Sequence, residues 1–365
     1  MDSSSFRQNG QVPLSDLGLE SPADVVLLAQ QCLRSGNWDQ ASSLCEASSD
    51  RFGNDPAVEV VWAMAELGKG NHARAEAMLQ RLRERHPRHL VAAYTAAWLN
   101  IELGRPGEAV KYLLELVREY PDYPAALGTL ASVLMPGPSY RDVLTYVNQA
   151  LRPLTYLEIG VETGATLRLA RTAKRIVGVD PNLELLQRDE ITSRARLHAC
   201  TSDEFFEKHT LASEFDSMPL DLAFIDGMHS FEFVLRDFRS VESWANDHTI
   251  VILHDVLPIL PLVAERNRRT KFWVGDVWKA IWLLVEYRSD LEISIVPTPP
   301  SGLAIVRGLN SANWTDPIRW NGAIECYSEL AYPHEEPGSW PDQLHIVDNT
   351  RAGWNEALGI AGDAS

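Results

Sequence analysis

Two glycines and two carboxylates surround the ends of the first two candidate strands in the C-terminal two thirds of this 365-residue chain. The segment LEIGVETG places Gly160 and Gly164 after one strand and Glu158 just before them, and VGVD ends the next strand at Asp180. Glycines admit a ligand close to the backbone, and a carboxylate can accept hydrogen bonds from both hydroxyls of a ribose. The middle glycine of a dinucleotide fingerprint is replaced by Glu162, and no P-loop sequence occurs. These residues favour an adenosyl ligand without phosphates, such as S-adenosylmethionine.

Further polar side chains follow the later strands. Asp226 ends the fourth candidate strand, and His254 and Asp255 end the fifth. His229 lies three residues beyond Asp226 and has an ordinary pKa near neutrality, so it is a candidate general base. A histidine at this place could instead orient Asp226 or cap the next helix.

These residues require strands that end at a common edge, and the apolar runs supply them. Five runs alternate with helical segments, which predicts a doubly wound parallel sheet of Rossmann-like type. Two later runs could form an antiparallel edge hairpin, but the long linker VPTPPSG predicts a looser arrangement. The predicted strands are 155–159, 175–179, 196–199, 220–225, 249–253, 292–296 and 303–306.

The N-terminal third repeats with a period of 34 residues. The repeat is seen in Gly36, Gly70 and Gly104, in small residues on either side of them, and in prolines. The period resembles that of the tetratricopeptide repeat over residues 22–152, which implies stacked pairs of helices with a glycine at each turn. Three units fit well, and a fourth is degenerate, with Pro138 in place of the glycine. The small-residue columns are Ala29, Ala63, Ala97 and Ala131, and Ala41, Ala75 and Ala109.

The C-terminal motifs together resemble class I S-adenosylmethionine-dependent methyltransferases over residues 153–307. LEIGVETG and VGVD are followed by TSDEFF, FIDGMHSFEFVLRD, VILHD and GDVWK. The set is similar to the subfamily of rhamnosyl and macrolide sugar O-methyltransferases and cephalosporin-hydroxylase-like proteins. That group reads I-D-G-x-H-x-Y, whereas this chain has Phe231 at the last position.

The resemblance implies roles for the candidate residues. Glu158 would support the glycine loop or the methionyl amine, and Ser202 and Asp203 would contact adenine, although their sequence also suits a helix cap. Magnesium would be held by Asp226, His254 and Asp255, with the histidine a departure from an all-oxygen site. The implied acceptor is a hydroxyl on a sugar or another small molecule.

Composition limits the partners. The net charge of −17 disfavours nucleic acid, and the short basic stretch from Arg266 to Lys271 is expected to be a solvated helix end. The sequence contains no apolar run long enough to span a membrane, and we see no secretory signal, so a cytoplasmic location is expected. The repeats would bind a protein partner or mediate self-association.

The predicted organisation has four parts: a flexible N-terminus (1–21), the repeats (22–152), the methyltransferase domain (153–309) and an extension (310–365). The extension would form a lid or pack along the sheet. Two alternatives stay open at this point. The chain could be a repeat-based interaction protein with a catalytically degenerate domain, or a metal-dependent hydroxylase-like enzyme on the same scaffold.

Overall fold

The computed structural model describes residues 19–314 and 316–360, so most of the predicted flexible N-terminus lies outside the described residues. The chain divides into two compact units at Pro121 and Asp122. The helices of the first unit are α1 (Pro22–Arg34), α2 (Trp38–Ala47), α3 (Ser49–Phe52), α4 (Pro56–Gly68), α5 (His72–Arg85), α6 (Leu90–Glu102) and α7 (Pro106–Glu119).

The first unit consists of helix pairs, as the 34-residue period predicts. The pairs α1–α2, α4–α5 and α6–α7 each turn at a glycine with positive φ: Gly36 at 71°, Gly70 at 78° and Gly104 at 66°. Glycine adopts this backbone conformation without the steric cost that a Cβ atom brings. The alanine columns on both sides of these turns have no exposed surface, so the small residues permit the close helix packing that the sequence predicts.

The second unit contains a seven-stranded sheet in the order β3-β2-β1-β4-β5-β7-β6. The first five strands pair in parallel, which confirms the predicted doubly wound arrangement. The central strands of this sheet are buried on both faces, and for this reason their sequences are nearly continuous apolar runs. The strands are β1 (Thr155–Ile159), β2 (Arg175–Val179), β3 (Arg196–His198), β4 (Leu222–Ile225), β5 (Ile250–His254), β6 (Glu292–Val296) and β7 (Leu303–Arg307).

The last two strands correct the sequence interpretation. β6 and β7 form an antiparallel pair, and β7 also pairs with β5, so it lies inside the sheet. The linker is compact because two backbone hydrogen bonds fold it. The amide of Thr298 donates to the Val296 carbonyl and the amide of Gly302 donates to the Thr298 carbonyl, both at a distance of 2.8 Å. The expectation of a looser arrangement is therefore wrong.

Helices cover the sheet and complete the second unit. The unit begins at Asp122, whereas the sequence predicts a domain beginning at residue 153. The difference arises at α9, whose buried Val143 and Val147 join the same apolar cluster as Tyr156 of β1. The helices are α8 (Pro124–Leu134), α9 (Tyr140–Leu151), α10 (Glu190–Arg194), α11 (Ser202–Lys208), α12 (Leu211–Phe215), α13 (Phe231–Glu242), α14 (Trp278–Tyr287), α15 (Pro317–Ser328) and α16 (Arg351–Leu358).

The C-terminal residues pack along the sheet region. Trp354 and Leu358 of α16 belong to the core cluster of the sheet, and Ile346 forms a parallel bridge with Ile295 of β6. Ile346 and α16 therefore pack along the sheet, one of the two arrangements expected for the extension. Among the helices of the described residues, none combines the length and apolar character needed to cross a membrane.

Candidate active site

A cavity of about 780 Å³ lies at the carboxyl ends of β1 to β5. Open α/β sheets bind ligands at this edge. The residues that follow each of these strands contribute to the wall, and so do α9 and a segment before α14. The lining includes residues 159–163, Asp180, Pro181, residues 201–203, residues 226–229, His254, Asp255, Arg268, residues 271–274, Tyr140, Arg141, Pro300 and Ser301.

The glycine loop after β1 forms one wall of the cavity. Gly160 has a φ of 90°, and a Cβ atom there would lie 1.9 Å from the carbonyl oxygen of Asp226. Gly164 has a φ of 73°, and a Cβ atom there would lie 2.6 Å from a methyl group of Leu186. Both positions therefore need glycine for the backbone conformation and also for close approach of a neighbouring element.

Asp180 ties this loop to the end of β2. One oxygen of its carboxylate accepts hydrogen bonds from the amides of Val161 at 2.9 Å and Glu162 at 2.8 Å. The other oxygen accepts one from the amide of Asn182 at 2.8 Å. Asp180 lines the cavity as the sequence predicts, and its side chain also holds the shape of the loop.

Glu158 lies beneath the loop and is not among the cavity-lining residues. Its fully buried carboxyl group accepts from the hydroxyls of Tyr156 at 2.6 Å and Thr166 at 2.8 Å. Burial raises the pKa of Glu158 to about 8, despite these two hydrogen bonds. Glu158 therefore lies beneath the loop, joined to it by the hydrogen bond from Thr166, and its two predicted roles stay predictions.

The third strand brings Ser202 and Asp203 to the cavity as predicted, but the helix cap is Thr201, whose side chain accepts from the amide of Glu204. Asp203 pairs with Arg236 through two hydrogen bonds of 3.1 and 2.7 Å. Asp237 of α13 also lines the cavity. Its side chain is buried, and burial raises its pKa to about 7.

Two carboxylates and two imidazoles form a compact cluster on the opposite side of the cavity. His229 lies with Nε2 3.5 Å from Asp226 Oδ1 and with Nδ1 3.1 Å from Asp255 Oδ2. His254 Nδ1 lies 3.2 Å from Asp226 Oδ1 and 3.4 Å from Asp255 Oδ1. Asp255 is buried and has a φ of 62°, an unusual backbone conformation of the kind found at functional sites.

The cluster neutralises its own charge. Burial lowers the pKa of His229, but the charge of Asp255 and the hydrogen bond with Asp226 outweigh it and raise this pKa to about 9. The same two carboxylates raise the pKa of His254 against the opposing effect of burial, and the histidines lower that of Asp226. At neutral pH the imidazole of His229 is therefore protonated on both nitrogens in the metal-free protein. A role as general base first requires the loss of one of these protons.

The grouping of possible metal ligands differs from the predicted one. Ligand atoms of Asp226, His229 and Asp255 all lie within 4.8 Å of one another. His254, which the sequence predicts as the third ligand, packs its ring 4.3 Å from that of Tyr140 and has Nε2 3.4 Å from Ser301 Oγ. His229 thus replaces His254 in this set, because one of its ring nitrogens lies within 4.8 Å of an oxygen of each carboxylate and those two oxygens lie equally close to one another.

This donor set tests whether magnesium fits. Magnesium prefers oxygen ligands in octahedral geometry, whereas carboxylates also suit manganese and imidazole suits zinc, copper, iron and nickel. Asp226 and Asp255 supply carboxylate oxygens and His229 supplies nitrogen. The three side chains fit a divalent cation that tolerates mixed nitrogen and oxygen ligands, and they fit magnesium less well.

Several supporting residues escaped the sequence analysis. A Cβ atom on Gly275 would lie 1.8 Å from the carbonyl oxygen of His229, and the buried Asp276 accepts from the amide of Phe231 at 2.7 Å. The motif GDVWK therefore braces the loop that carries His229. Ser301 donates a hydrogen bond to Asp255, and Trp273 stacks on His229 with ring centroids 5.4 Å apart. GDVWK carried a signal for this role, since its glycine and aspartate precede a helix.

The basic stretch from Arg266 to Lys271 is also not a helix end. It lies in an irregular segment before α14, where Arg268 and Lys271 line the cavity. The guanidinium of Arg268 donates to the carbonyls of Thr270 at 3.2 Å and Lys271 at 3.0 Å. This segment therefore gives the cavity cationic side chains beside its acidic ones.

Comparisons with known proteins agree with this architecture. Residues 157–256 match the model of a methyltransferase domain, and residues 60–124 match the model of a tetratricopeptide repeat. The chain thus joins tetratricopeptide repeats to a methyltransferase domain with a Rossmann-like sheet. Among curated proteins, none matches the chain.

Solved structures similar to parts of the chain include two O-methyltransferases. TomG from Streptomyces achromogenes, involved in tomaymycin synthesis and solved with SAM, is 16% identical over 50% of this chain and 89% of that one, with a TM-score of 0.38. An O-methyltransferase from Bacillus cereus in complex with SAH is 16% identical over 50% and 88% of the two chains, with a TM-score of 0.37. MamA from Desulfovibrio magneticus RS-1 is 21% identical over 30% of this chain and 62% of that one, with a TM-score of 0.27.

Proposed function

We propose that the protein is an S-adenosylmethionine-dependent methyltransferase that methylates a hydroxyl oxygen of a small-molecule or glycan acceptor. The observation that carries the proposal is a cavity at the sheet edge with two chemically different sides. A glycine loop with Asp180 forms one side, and Asp226, His229 and Asp255 form the other. A volume of about 780 Å³ lies in the upper part of the range for ligand pockets, so it provides room for an acceptor beside a cofactor.

The residues of the glycine loop suit an adenosyl group without phosphates. Gly160 exposes backbone to the cavity, and Asp180, Glu162 and Asp203 supply carboxylates along the same wall. These charges disfavour a pyrophosphate and are compatible with a sulfonium. S-adenosylmethionine, when bound, supplies an activated methyl group. The carboxylate of Asp180 would then bind the ribose while continuing to hold the loop.

The opposite side of the cavity provides an acceptor site. Tyr140, Phe272 and Trp273 contribute aromatic surface, on which a sugar ring or another planar scaffold can stack. Arg268 and Lys271 contribute positive charge, which favours an acceptor that carries an anionic group in addition to its hydroxyl. The protein holds the acceptor oxygen in line with the methyl group, and this alignment supplies much of the rate.

Asp226, His229 and Asp255 would hold a divalent cation in this site. Such a cation lowers the pKa of a hydroxyl that contacts it. The grouping favours His229 as a ligand over its predicted role as general base. Ser301 orients the carboxylate of Asp255 by donating to it, and Trp273 holds the imidazole of His229 by stacking. These contacts fix the direction in which the three ligands point.

The proposal is tested first by calorimetric titration of the full chain with S-adenosylhomocysteine. We expect micromolar binding, weakened at least about tenfold in Asp180→Ala, because hydrogen bonds to a charged group contribute roughly 1.5–3 kcal/mol. The matched control is Asp247→Ala, which removes an exposed carboxylate that does not line the cavity. Titrations are repeated with magnesium and with manganese, and we expect His229→Gln to abolish any effect of manganese.

Methyl transfer is then measured with labelled S-adenosylmethionine on hydroxylated acceptors that either carry or lack a carboxylate. Absence of binding by the unaltered protein would overturn the cofactor assignment and favour the interaction-protein alternative. Binding of the cofactor together with an oxidative reaction, but no methyl transfer, would favour the hydroxylase alternative. We also propose that the repeats bind a protein partner, the role for which such helix pairs are widely used.

A further inference from the structure

A second group of metal-binding side chains lies outside the cluster described above. His198 ends β3, His209 follows α11, and Glu214 lies in α12. Their ligand atoms all lie within 4.8 Å of one another. The two oxygens of Glu214 face the two imidazoles, with His198 Nε2 at 3.0 Å from Oε2 and His209 Nδ1 at 2.7 Å from Oε1.

The spacing suits a small transition-metal ion. Zinc binds imidazole nitrogen and carboxylate oxygen at about 2.0–2.2 Å in tetrahedral geometry, so its ligand atoms lie roughly 3.3–3.5 Å apart. The observed separations of 3.0 and 2.7 Å need only a small outward movement of side chains to reach this value. Two imidazoles and one carboxylate are also an established ligand set for zinc, with a fourth position left for water.

The surroundings hold the ligands in place and do not supply a competing cation to the carboxylate. Glu214 is buried, and the only further contact to its carboxylate among the described hydrogen bonds is from Ser213 Oγ at 3.3 Å. The nearby Arg196 donates instead to the backbone carbonyls of Ser213 and Glu214. Phe205 packs against both imidazoles, with centroids 4.9 and 5.0 Å away, which restricts their rotation.

An ion can reach this group from solvent. The side chains of His198 and His209 are 19% and 28% exposed, whereas that of Glu214 is 5% exposed. The carboxylate thus lies at the bottom of the site and the imidazoles at its rim. Such an arrangement provides an entry path and keeps the charged ligand away from water.

We propose that His198, His209 and Glu214 bind a zinc ion. The ion would join the end of β3 to α12 and to the end of α11. The intervening residues Thr201 to Asp203 line the cavity, so the zinc would stabilise the wall of the cavity that follows β3. The proposal does not depend on the proposed methyltransferase activity, because none of the three ligands lines the cavity.

The test measures zinc bound to the full chain after chelator treatment, dialysis against zinc chloride and removal of free metal. The starting variant carries Asp226→Asn and His229→Gln, so that the cluster in the cavity does not contribute. We expect one equivalent of zinc in this variant, and an affinity at least about 100-fold lower when His209→Gln is added, since even changes beside metal ligands cost 10–100-fold.

The matched control is His248→Gln, which removes an exposed histidine outside both groups and should leave zinc binding unchanged. Glu214→Gln keeps the shape of the side chain and should lose zinc to the same extent as His209→Gln. Zinc should also raise the Tm of the starting variant and leave that of the His209→Gln form unchanged. Failure of the starting variant to bind zinc, or binding that survives His209→Gln, would overturn the proposal.

A direct measurement on the unaltered chain avoids any effect of substitutions on folding. Crystals grown with zinc should show anomalous scattering between the three side chains. An ordered site without anomalous signal means that Glu214 only accepts hydrogen bonds from the two histidines, and it contradicts the proposal. Loss of S-adenosylhomocysteine binding in the separate titration would contradict the proposed function and would leave the zinc site standing.

Discussion

Glu66 of the repeat region and Glu158 of the sheet region are both completely buried, and their surroundings affect the charge of the carboxyl group in opposite ways. Glu66 of α4 has Lys69 Nζ 3.5 Å and Arg74 Nη1 3.8 Å from its carboxylate. Glu158 of β1 has only the hydroxyls of Tyr156 and Thr166 as its described side-chain partners. Burial raises the pKa of both groups, but hydrogen bonds and nearby cations outweigh it at Glu66 and lower its pKa, whereas the pKa of Glu158 rises to about 8.

The difference between these two glutamates shows two uses of a buried acid. In the repeats, a carboxylate that accepts from Ser42 and Asn71 links neighbouring helices as an ionised group. In the sheet, a carboxyl group that is neutral at neutral pH supports the loop that carries the candidate cofactor site. A neutral group adds no charge beneath Asp226, which already pairs with two histidines.

The two regions also use glycine differently. Gly104 of the repeats has a positive φ, and a Cβ atom there would meet no other atom within 4 Å. Gly160 of the sheet region has a positive φ as well, but a Cβ atom there would collide with the backbone of Asp226. A local turn explains the first glycine, whereas the packing of two strand ends explains the second.

The largest expected effect is that of Gly160→Ala. The added Cβ atom would lie 1.9 Å from the Asp226 carbonyl oxygen, so the ends of β1 and β4 must separate. We expect a loss of more than about 4 kcal/mol in the free energy of unfolding and no measurable binding of S-adenosylhomocysteine. Chemical denaturation and calorimetry measure the two results.

Gly104→Ala is the matched control for this substitution. It places the same methyl group at a positive φ without a collision, so we expect a cost of only about 1–2 kcal/mol and unchanged cofactor binding. Equal effects of the two substitutions would show that backbone conformation alone, and not the close approach to Asp226, explains the need for glycine at position 160.

The second prediction concerns Glu158→Gln, which keeps the shape of the side chain without an acid. The folded-state pKa of Glu158, about 8, lies above the unfolded-state value of 4.5. The wild-type protein therefore loses stability as pH rises from about 4.5 to 8, by up to about 1.4 kcal/mol per pH unit. We expect the stability of the variant relative to wild type to increase over this range. Denaturant unfolding at pH 5, 6.5 and 8 measures it, and a flat difference would contradict the assigned pKa.

The third and smallest effect is that of Glu66→Gln, with the opposite dependence on pH. The folded-state pKa of Glu66 lies below its unfolded value of 4.5, so its contribution is present above pH 4.5 and is lost on acidification. We expect the variant to be about 1.5–3 kcal/mol less stable at pH 7, since Gln cannot replace charge-assisted hydrogen bonds. The deficit should shrink as pH falls below about 4.5. A deficit that stays constant down to pH 3 would mean that packing, not ionisation, is responsible.

Much of the architecture could be predicted because its signals are local. The turn glycines and alanine columns recur every 34 residues. Each small residue is required by the close packing within its own helix pair. The parallel strands follow from buried apolar runs, and their carboxyl ends must meet at one edge. This is why the sequence alone predicts that Asp180, Asp226 and Asp255 share a site, and all three line the cavity.

The remaining features depend on directions and distances between segments far apart in sequence. The choice of His229 over His254 follows from the loop that Gly275 and Asp276 brace. Sequence reasoning could not show that Asp237 faces the cavity, because one turn of an amphipathic helix borders both the core and the cavity. The antiparallel pairing of β6 and β7 likewise depends on a linker whose length favoured a looser arrangement.

By itself the sequence determined the repeat period, the helix pairs, the parallel strands and the polar residues at their ends. These depend on local backbone preference and on the periodicity of apolar residues, which neighbouring positions encode. Only the tertiary structure decided that Glu158 supports the loop from below, that His229 joins the two aspartates, and that His198, His209 and Glu214 meet. The physical reason is that burial and ligand geometry arise from segments brought together by packing, and their relative directions are not encoded at any single position.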